Sequence, residues 1–300
     1  MSVFVQTLMN LLQLGSIYAL LAIGFSIVYG IAGLVNFAHG EIFMVSSYVM
    51  FFVSSVLYTA TGVDWLVYVF SLVVSIVITS LLAFVVEKIA YKPLRKAPKV
   101  SVVVSSVGVG LVLEYLTLNF AGAESKKMPA MVTSVPITIG GATIASSTLI
   151  IIAVALLFMI ALSLFMQKTK MGIALRAVAQ DEKAASFMGI SPDVMISLAF
   201  IIGASMAAIG ASLYSVAYPI FDPYIGDNIN WWSFTAAVLG GIGIMKGAVL
   251  GGFLLAAVNI IAPMVLPVSS YRDIVAFAVL IIVLLIKPTG LLGKKVIEKV

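Results

Sequence analysis

The residues of this chain able to do chemistry are polar groups that interrupt apolar runs. Residues 24–41 read GFSIVYGIAGLVNFAHGE, where Gly24, Gly30, Gly33 and Gly40 punctuate the run and Asn36, His39 and Glu41 add an amide, an imidazole and a carboxylate. Each glycine in a helix interior costs about 0.5–1 kcal/mol relative to alanine. A broken helix also frees backbone N–H and C=O groups, tolerable at membrane depth only where they meet protein or line a wet cavity. Such interruptions point to a transport path, here Asn36, His39, Gly40 and Glu41. On an unbroken helix Asn36 and His39 share a face while His39 and Glu41 point apart, so a His39–Glu41 pair requires a break. The competing reading is a cytoplasmic turn at the interface, with Glu41 favouring the start of the next helix.

A second interruption, WWSFTAAVLGGIGIMKGAVLGG, covers residues 231–252. Gly243, Gly247 and Gly251 recur every four residues, a small-residue face that lets backbones approach closely. Alternatively, Gly240 to Gly247 is a tight cytoplasmic turn with Lys246 at its tip, sparing the roughly 2.5–3.5 kcal/mol of placing a lysine at mid-bilayer. A phosphate loop is excluded, because GxxxxGK[ST] needs a glycine where Lys246 stands. Glu114, inside an apolar run, must face the bundle interior or snorkel, as a functional group or a paired structural carboxylate. Asp222, Asp227, Arg272 and Asp273 read as solvated charges near the outer interface. With no cysteine and a single histidine, disulfides, thiolate metal sites and most histidine-based metal or catalytic sets drop out. No GxSxG or other nucleophile–base pairing is present, so no catalytic, cofactor or metal residues are assigned.

The elements that position these groups are membrane helices. Of the 300 residues, 62% are hydrophobic and 10% charged, against roughly 45–50% and about 25% in soluble domains. Apolar runs near 5–30, 41–58, 66–87, 101–121, 147–166, 193–217, 231–245, 248–266 and 270–286 approach the roughly 20 residues that span a bilayer. The expected fold is an all-α integral membrane protein. It is a polytopic bundle of about eight transmembrane helices with discontinuous or re-entrant segments, in a single domain covering residues 1–300.

Basic residues cluster at Lys88, Lys92, Arg95, Lys96 and Lys99, at Lys168, Lys170, Arg176 and Lys183, and at Lys287, Lys294, Lys295 and Lys299. Placing all three clusters inside, with Lys246 landing inside under the same parity, leaves only Lys126, Lys127 and Arg272 of the 17 Lys and Arg outside, in keeping with the positive-inside rule. The N-terminus is then external and the C-terminus cytoplasmic. The net charge of +5 serves orientation rather than nucleic-acid binding. Residues 122–146 form an external, partly extended loop.

The cytoplasmic segment of about residues 168–192 is expected to be helical from Ile173 to Phe187, ended by Gly189 and Pro192. Ala174, Ala177, Val178, Ala185 and Met188 occupy one side. Faces that lie on lipid carry larger groups, so this small-residue face suits docking into a protein groove.

Five stretches then resemble one family in its order: GSIYALLAIGFSIVYGIAGLVNFAHGE (15–41), KMGIALRAVAQDEKAASFMGI (170–190), DPYIG (222–226), FTAAVLGGIG (234–243) and KPTGLLG (287–293). The chain resembles the LivH-type permeases of branched-chain amino acid ABC importers. The resemblance implies a transport subunit of a prokaryotic cytoplasmic membrane, not an enzyme, carrying leucine, isoleucine and valine. Its implied partners are a second related permease, two cytoplasmic ATPases that use ATP and Mg, an extracytoplasmic amino acid-binding protein and membrane lipid. It implies that residues 170–190 couple the permease to an ATPase, through Gly172, Arg176, Asp181, Ala184, Ala185 and Gly189. Permeases for urea and short-chain amides share these motifs. A secondary transporter is the remaining alternative, and it would need several buried carboxylates.

Overall fold

The computed structural model describes residues 2–61, 64–139, 141–265 and 271–293. Eleven α-helices follow one another among them: α1 Ser2–Ala32, α2 His39–Thr61, α3 Asp64–Val86, α4 Lys99–Ala121, α5 Ser146–Lys168, α6 Lys170–Gln180, α7 Glu182–Phe187, α8 Pro192–Ala217, α9 Ile225–Gly240, α10 Met245–Val265 and α11 Tyr271–Ile286. The end of α3 continues through a π turn, Glu87–Tyr91, into a 3₁₀ turn, Lys92–Leu94. Lys294, Lys295 and Lys299 of the third basic cluster lie outside the described residues.

Seven of these helices, α1 to α5, α8 and α10, are long and apolar enough to cross a membrane. The sequence suggests about eight crossings, including 231–245 and 270–286; α9 and α11, at 16 residues each, fall short. At 1.5 Å per residue each spans roughly 24 Å against a core of about 30 Å. Helix α9 begins at Ile225 rather than near 231, and it stops at Gly240 because Gly241 and Gly243 take positive φ, 112° and 85°. These glycines form the turn expected at 240–247, and Lys246 emerges exposed in the first turn of α10. The small-residue face also forms. Gly247 packs on the Gly240 backbone and Gly251 on that of Ala236, so the close contact joins α9 to α10 within the chain.

The segment 122–146, expected as an external loop, is more ordered than a surface loop. Its strand β1, Lys126–Lys127, pairs antiparallel with β4, Ile220–Phe221, while β2, Pro136–Ile139, pairs with β3, Ala142–Ala145.

Helix α1 is apolar on all sides, the pattern of a fully enclosed helix, and every residue from Leu14 to Val28 is buried. It runs antiparallel to α8: Leu21 meets Gly210, whereas Gly24 and Val28 meet Gly203. A Cβ on Gly24 would approach the Gly203 carbonyl to 2.9 Å, so the two helices cross with their backbones almost touching.

Candidate transport path and docking surface

The polar break falls between α1 and α2. Residues 33–38 are non-helical, beginning at Gly33 with φ 64°. The amide oxygen of Asn36 accepts from the Ala38 N–H at 3.1 Å and from the Tyr91 hydroxyl at 2.5 Å. Asn36 therefore shapes the turn that launches α2 and ties it to the π turn after α3. With the break before His39, His39 and Glu41 both belong to α2 and leave it in different directions. His39, 1% exposed, lies against Gly24 and edge-on to Phe25 at 5.8 Å. Glu41 faces α4 and α9 instead.

Depth follows from the neighbours. Glu41 lies opposite Gly110, which has eleven residues of α4 on either side of it. The start of α2 is therefore at the middle of the bundle, and residues 33–38 dip inward from the face where α1 ends. The start of α9 meets it there: a Cβ at Gly40 would overlap the Gly226 carbonyl and come within 2.7 Å of the Asn230 nitrogen. Residues 218–224 thus dip inward from the face where α8 ends. Because α1 and α8 are antiparallel, the two breaks enter from opposite faces, and α2 and α9 start head to head. The positive ends of their dipoles both lie near this junction and favour negative charge there. Glu41 fills it, in the first turn of α2 and against Gly226 in the first turn of α9.

Beside this junction is a cavity of about 300 Å³ lined by Glu41, Glu114, Asp227, Asn230, Trp231 and an apolar wall from α4. Carboxylate oxygens of Glu41, Glu114 and Asp227 all lie within 4.8 Å of one another. Of the four residues singled out by the sequence, Glu41 lines the cavity, Gly40 permits the close approach of α9, and Asn36 and His39 are buried behind them. Asp227, grouped by the sequence with the solvated outer charges, is exposed, and its place in this cavity was not foreseen. The repeated pattern, an apolar helix followed by a short polar break and a second helix, is the signal that relates 218–230 to 33–41.

The family model for the permease component of branched-chain amino acid transport systems matches residues 7–284. The chain belongs to this family. It is similar to the high-affinity branched-chain amino acid permease LivH of Escherichia coli K12, with 40% identity over 99% of this chain and 98% of that one. BraD of Pseudomonas aeruginosa is 38% identical over the same shares. A probable branched-chain amino acid permease from Methanocaldococcus jannaschii is 26% identical, covering 93% of this chain and 89% of its own.

The second candidate surface of this permease is the segment after α5. A continuous helix is expected from Ile173 to Phe187; the chain instead breaks at Asp181, whose extended backbone ends α6 and whose side chain accepts from the Ala184 N–H at 2.9 Å to cap α7. Thr169 caps α6 in the same way through the Gly172 N–H, at 3.0 Å. Gly172 forms the elbow with α5, where a Cβ would come within 2.6 Å of the Met166 backbone. Gly189, at φ 81°, closes α7, and the Ile190 N–H bonds the Ala185 carbonyl at 3.0 Å, a Schellman-type end. Leu175, Val178 and Ala185 are buried against the permease itself, with Ala174 and Ala177 half-buried. The outward surface carries Arg176, Lys183 and Ala184, with Phe187 and Met188 projecting at 90% and 82% exposure.

A cavity between this segment and the end of α1 brings Lys92, Arg95 and Lys96 together with Lys183, so the first two basic clusters share one face of the bundle. Glu87 is fully buried there and accepts from Arg95 and Ser197; Arg95 and Lys92 each also bind Asp193 at 2.6 Å. This network fastens the end of α3 to the start of α8.

Proposed function

We propose that this permease is the membrane subunit of an ATP-driven importer of leucine, isoleucine and valine. The observation that carries the reading is its family membership along nearly the whole chain, joined to the head-to-head break at Glu41 and Gly226. Discontinuous segments meeting at mid-depth are where membrane carriers place their path, and Glu41 and its neighbours line it while Gly40 closes the junction behind them. The basic face is cytoplasmic and the N-terminus external, in the inner membrane of a prokaryote.

ATP and Mg are used by two partner ATPases, which dock on the α6–α7 surface. Phe187 and Met188 suit a hydrophobic groove on such a partner, since large exposed apolar side chains in water mark an interaction surface. A second, related permease and an extracytoplasmic amino acid-binding protein complete the assembly.

The test is co-purification from native membranes, with partners identified by mass spectrometry and uptake of labelled leucine, isoleucine, valine and urea measured in proteoliposomes. Leucine-class uptake that requires ATP and the co-purified ATPases is the expected result. Uptake of urea alone, or of amino acids without ATP, would sink the proposal.

A further inference from the structure

We infer that Glu41, Glu114 and Asp227 form a cation site for the primary ammonium group of the amino acid in transit, with its aliphatic side chain against α4. The inference rests on the transport reading above. Three carboxylates with oxygens within 4.8 Å repel one another unless a proton or another positive charge is placed among them. Among the described residues no basic side chain lines their cavity, and none of the three takes part in a salt bridge.

Acceptors also stand ready for a donor. Asn230, 6% exposed, has an amide oxygen with no hydrogen-bond partner, and Glu41, 3% exposed, has its Oε2 in the same condition. Buried acceptors are seldom left without a partner, and an ammonium group brings three donors and no acceptor. A metal ion would satisfy the oxygens as well, but it has no use for the rest of the cavity. Val103, Val107 and Leu111, on the same helix as Glu114, supply an apolar part of the lining, which matches a branched aliphatic side chain. At about 300 Å³ the space lies at the small end of ligand pockets, suited to one amino acid.

Trp231 lines the cavity and is 48% exposed, so it serves as a reporter. The permease, purified with its co-purifying subunits and carrying Trp65→Phe and Trp232→Phe, leaves Trp231 as the sole indole of this chain. The same two substitutions in a chain that also carries Trp231→Phe give the background from the other subunits. Leucine, and leucinamide, which keeps the ammonium and lacks the carboxylate, are expected to shift Trp231 emission saturably. N-acetylleucine, which lacks the ammonium, is expected to leave it unchanged. Asp227→Asn and Glu114→Gln should each weaken the leucinamide response at least tenfold with unfolding temperatures unchanged. Because Glu41→Gln alters a packed junction, these two variants carry the test.

Three outcomes overturn the inference: a response to N-acetylleucine equal to that of leucinamide, an EDTA-reversible quench by MnCl2 with no leucinamide response, or silence to every probe. Leucine uptake by the wild-type assembly is measured in parallel. Uptake without a Trp231 response removes the ammonium site and leaves the transport reading standing, whereas absence of uptake sinks the transport reading itself.

Discussion

Gly40 lies against the Gly226 carbonyl, and no side chain fits between α2 and α9 at that point. The two helices meet at their first turns, so an added methyl must drive them apart at the junction. Overpacking of this kind costs about 1–3 kcal/mol. Gly40→Ala is therefore expected to lower the unfolding temperature in detergent and to abolish substrate uptake. Gly108→Ala, where a Cβ meets nothing within 4 Å, should leave both unchanged. Equal behaviour of the two variants would show that the junction is not tight.

Asn36 accepts from both the Ala38 N–H and the Tyr91 hydroxyl. Tyr91→Phe removes one ordinary bond, for a loss of about 0.5–1.5 kcal/mol. Asn36→Ala removes the shared acceptor of two buried donors, where each donor left unsatisfied costs about 1–3 kcal/mol, and frees the turn before α2. Asn36→Ala should thus be the more damaging in unfolding experiments, with substrate flux reduced in assembled complexes. A larger effect of Tyr91→Phe would contradict the role given to the Asn36 side chain.

Glu87 is fully buried, and its principal counter-charge is Arg95, whose side chain is 15% exposed. Removing one member of a buried pair costs about 3–5 kcal/mol, so Arg95→Gln should strongly destabilise the permease. Lys92 binds the half-exposed Asp193, and exposed pairs contribute about 0–1 kcal/mol. Lys92→Gln is expected to be close to neutral. The ranking is read from thermal unfolding, and its inversion would refute the assignment of Arg95 as the fastening residue.

Ala184 is exposed and Ala185 is 4% exposed and buried against the permease itself. Ala184→Trp should block the docked partner while leaving the permease as stable as before, measured as co-purified ATPase per permease. Ala185→Trp should instead destabilise the permease, by the same overpacking of about 1–3 kcal/mol. Phe187→Ser should weaken ATPase association without lowering stability. Full association and full coupling of ATP turnover to uptake in both Ala184→Trp and Phe187→Ser would place the docking surface elsewhere.

Lys96 and Ser125 are both exposed and lie on opposite faces of the proposed arrangement. A single cysteine at Lys96 should react with impermeant maleimide only from the cytoplasmic side, and one at Ser125 only from outside. Labelling of both from one side would overturn the topology.

Most of the helices were legible in the sequence because lipid imposes a length and an apolar character that single residues cannot disguise. The glycines at 24–40 also marked the first break. The meeting of Glu41 with Asp227 was not legible: it depends on α8 returning the chain to mid-depth, a distance that local pattern does not encode. The same limit explains the α6–α7 segment. Its small face was visible, but whether that face met a partner or the permease itself depended on how α5 folds back at Gly172.

At the far end of α9 the final described residues take on a task. The Leu291 and Leu292 N–H groups bond the carbonyls of Leu239 and Gly240, both at 2.9 Å, closing backbone groups that a helix end otherwise leaves open. Half of the central junction is thus finished by residues more than fifty positions later in the chain. During synthesis, α9 can enter the membrane early but cannot be sealed until residues 291 and 292 have been made. A chain cut before Lys287 would carry every helix described here and still lack the latch that holds one of them shut.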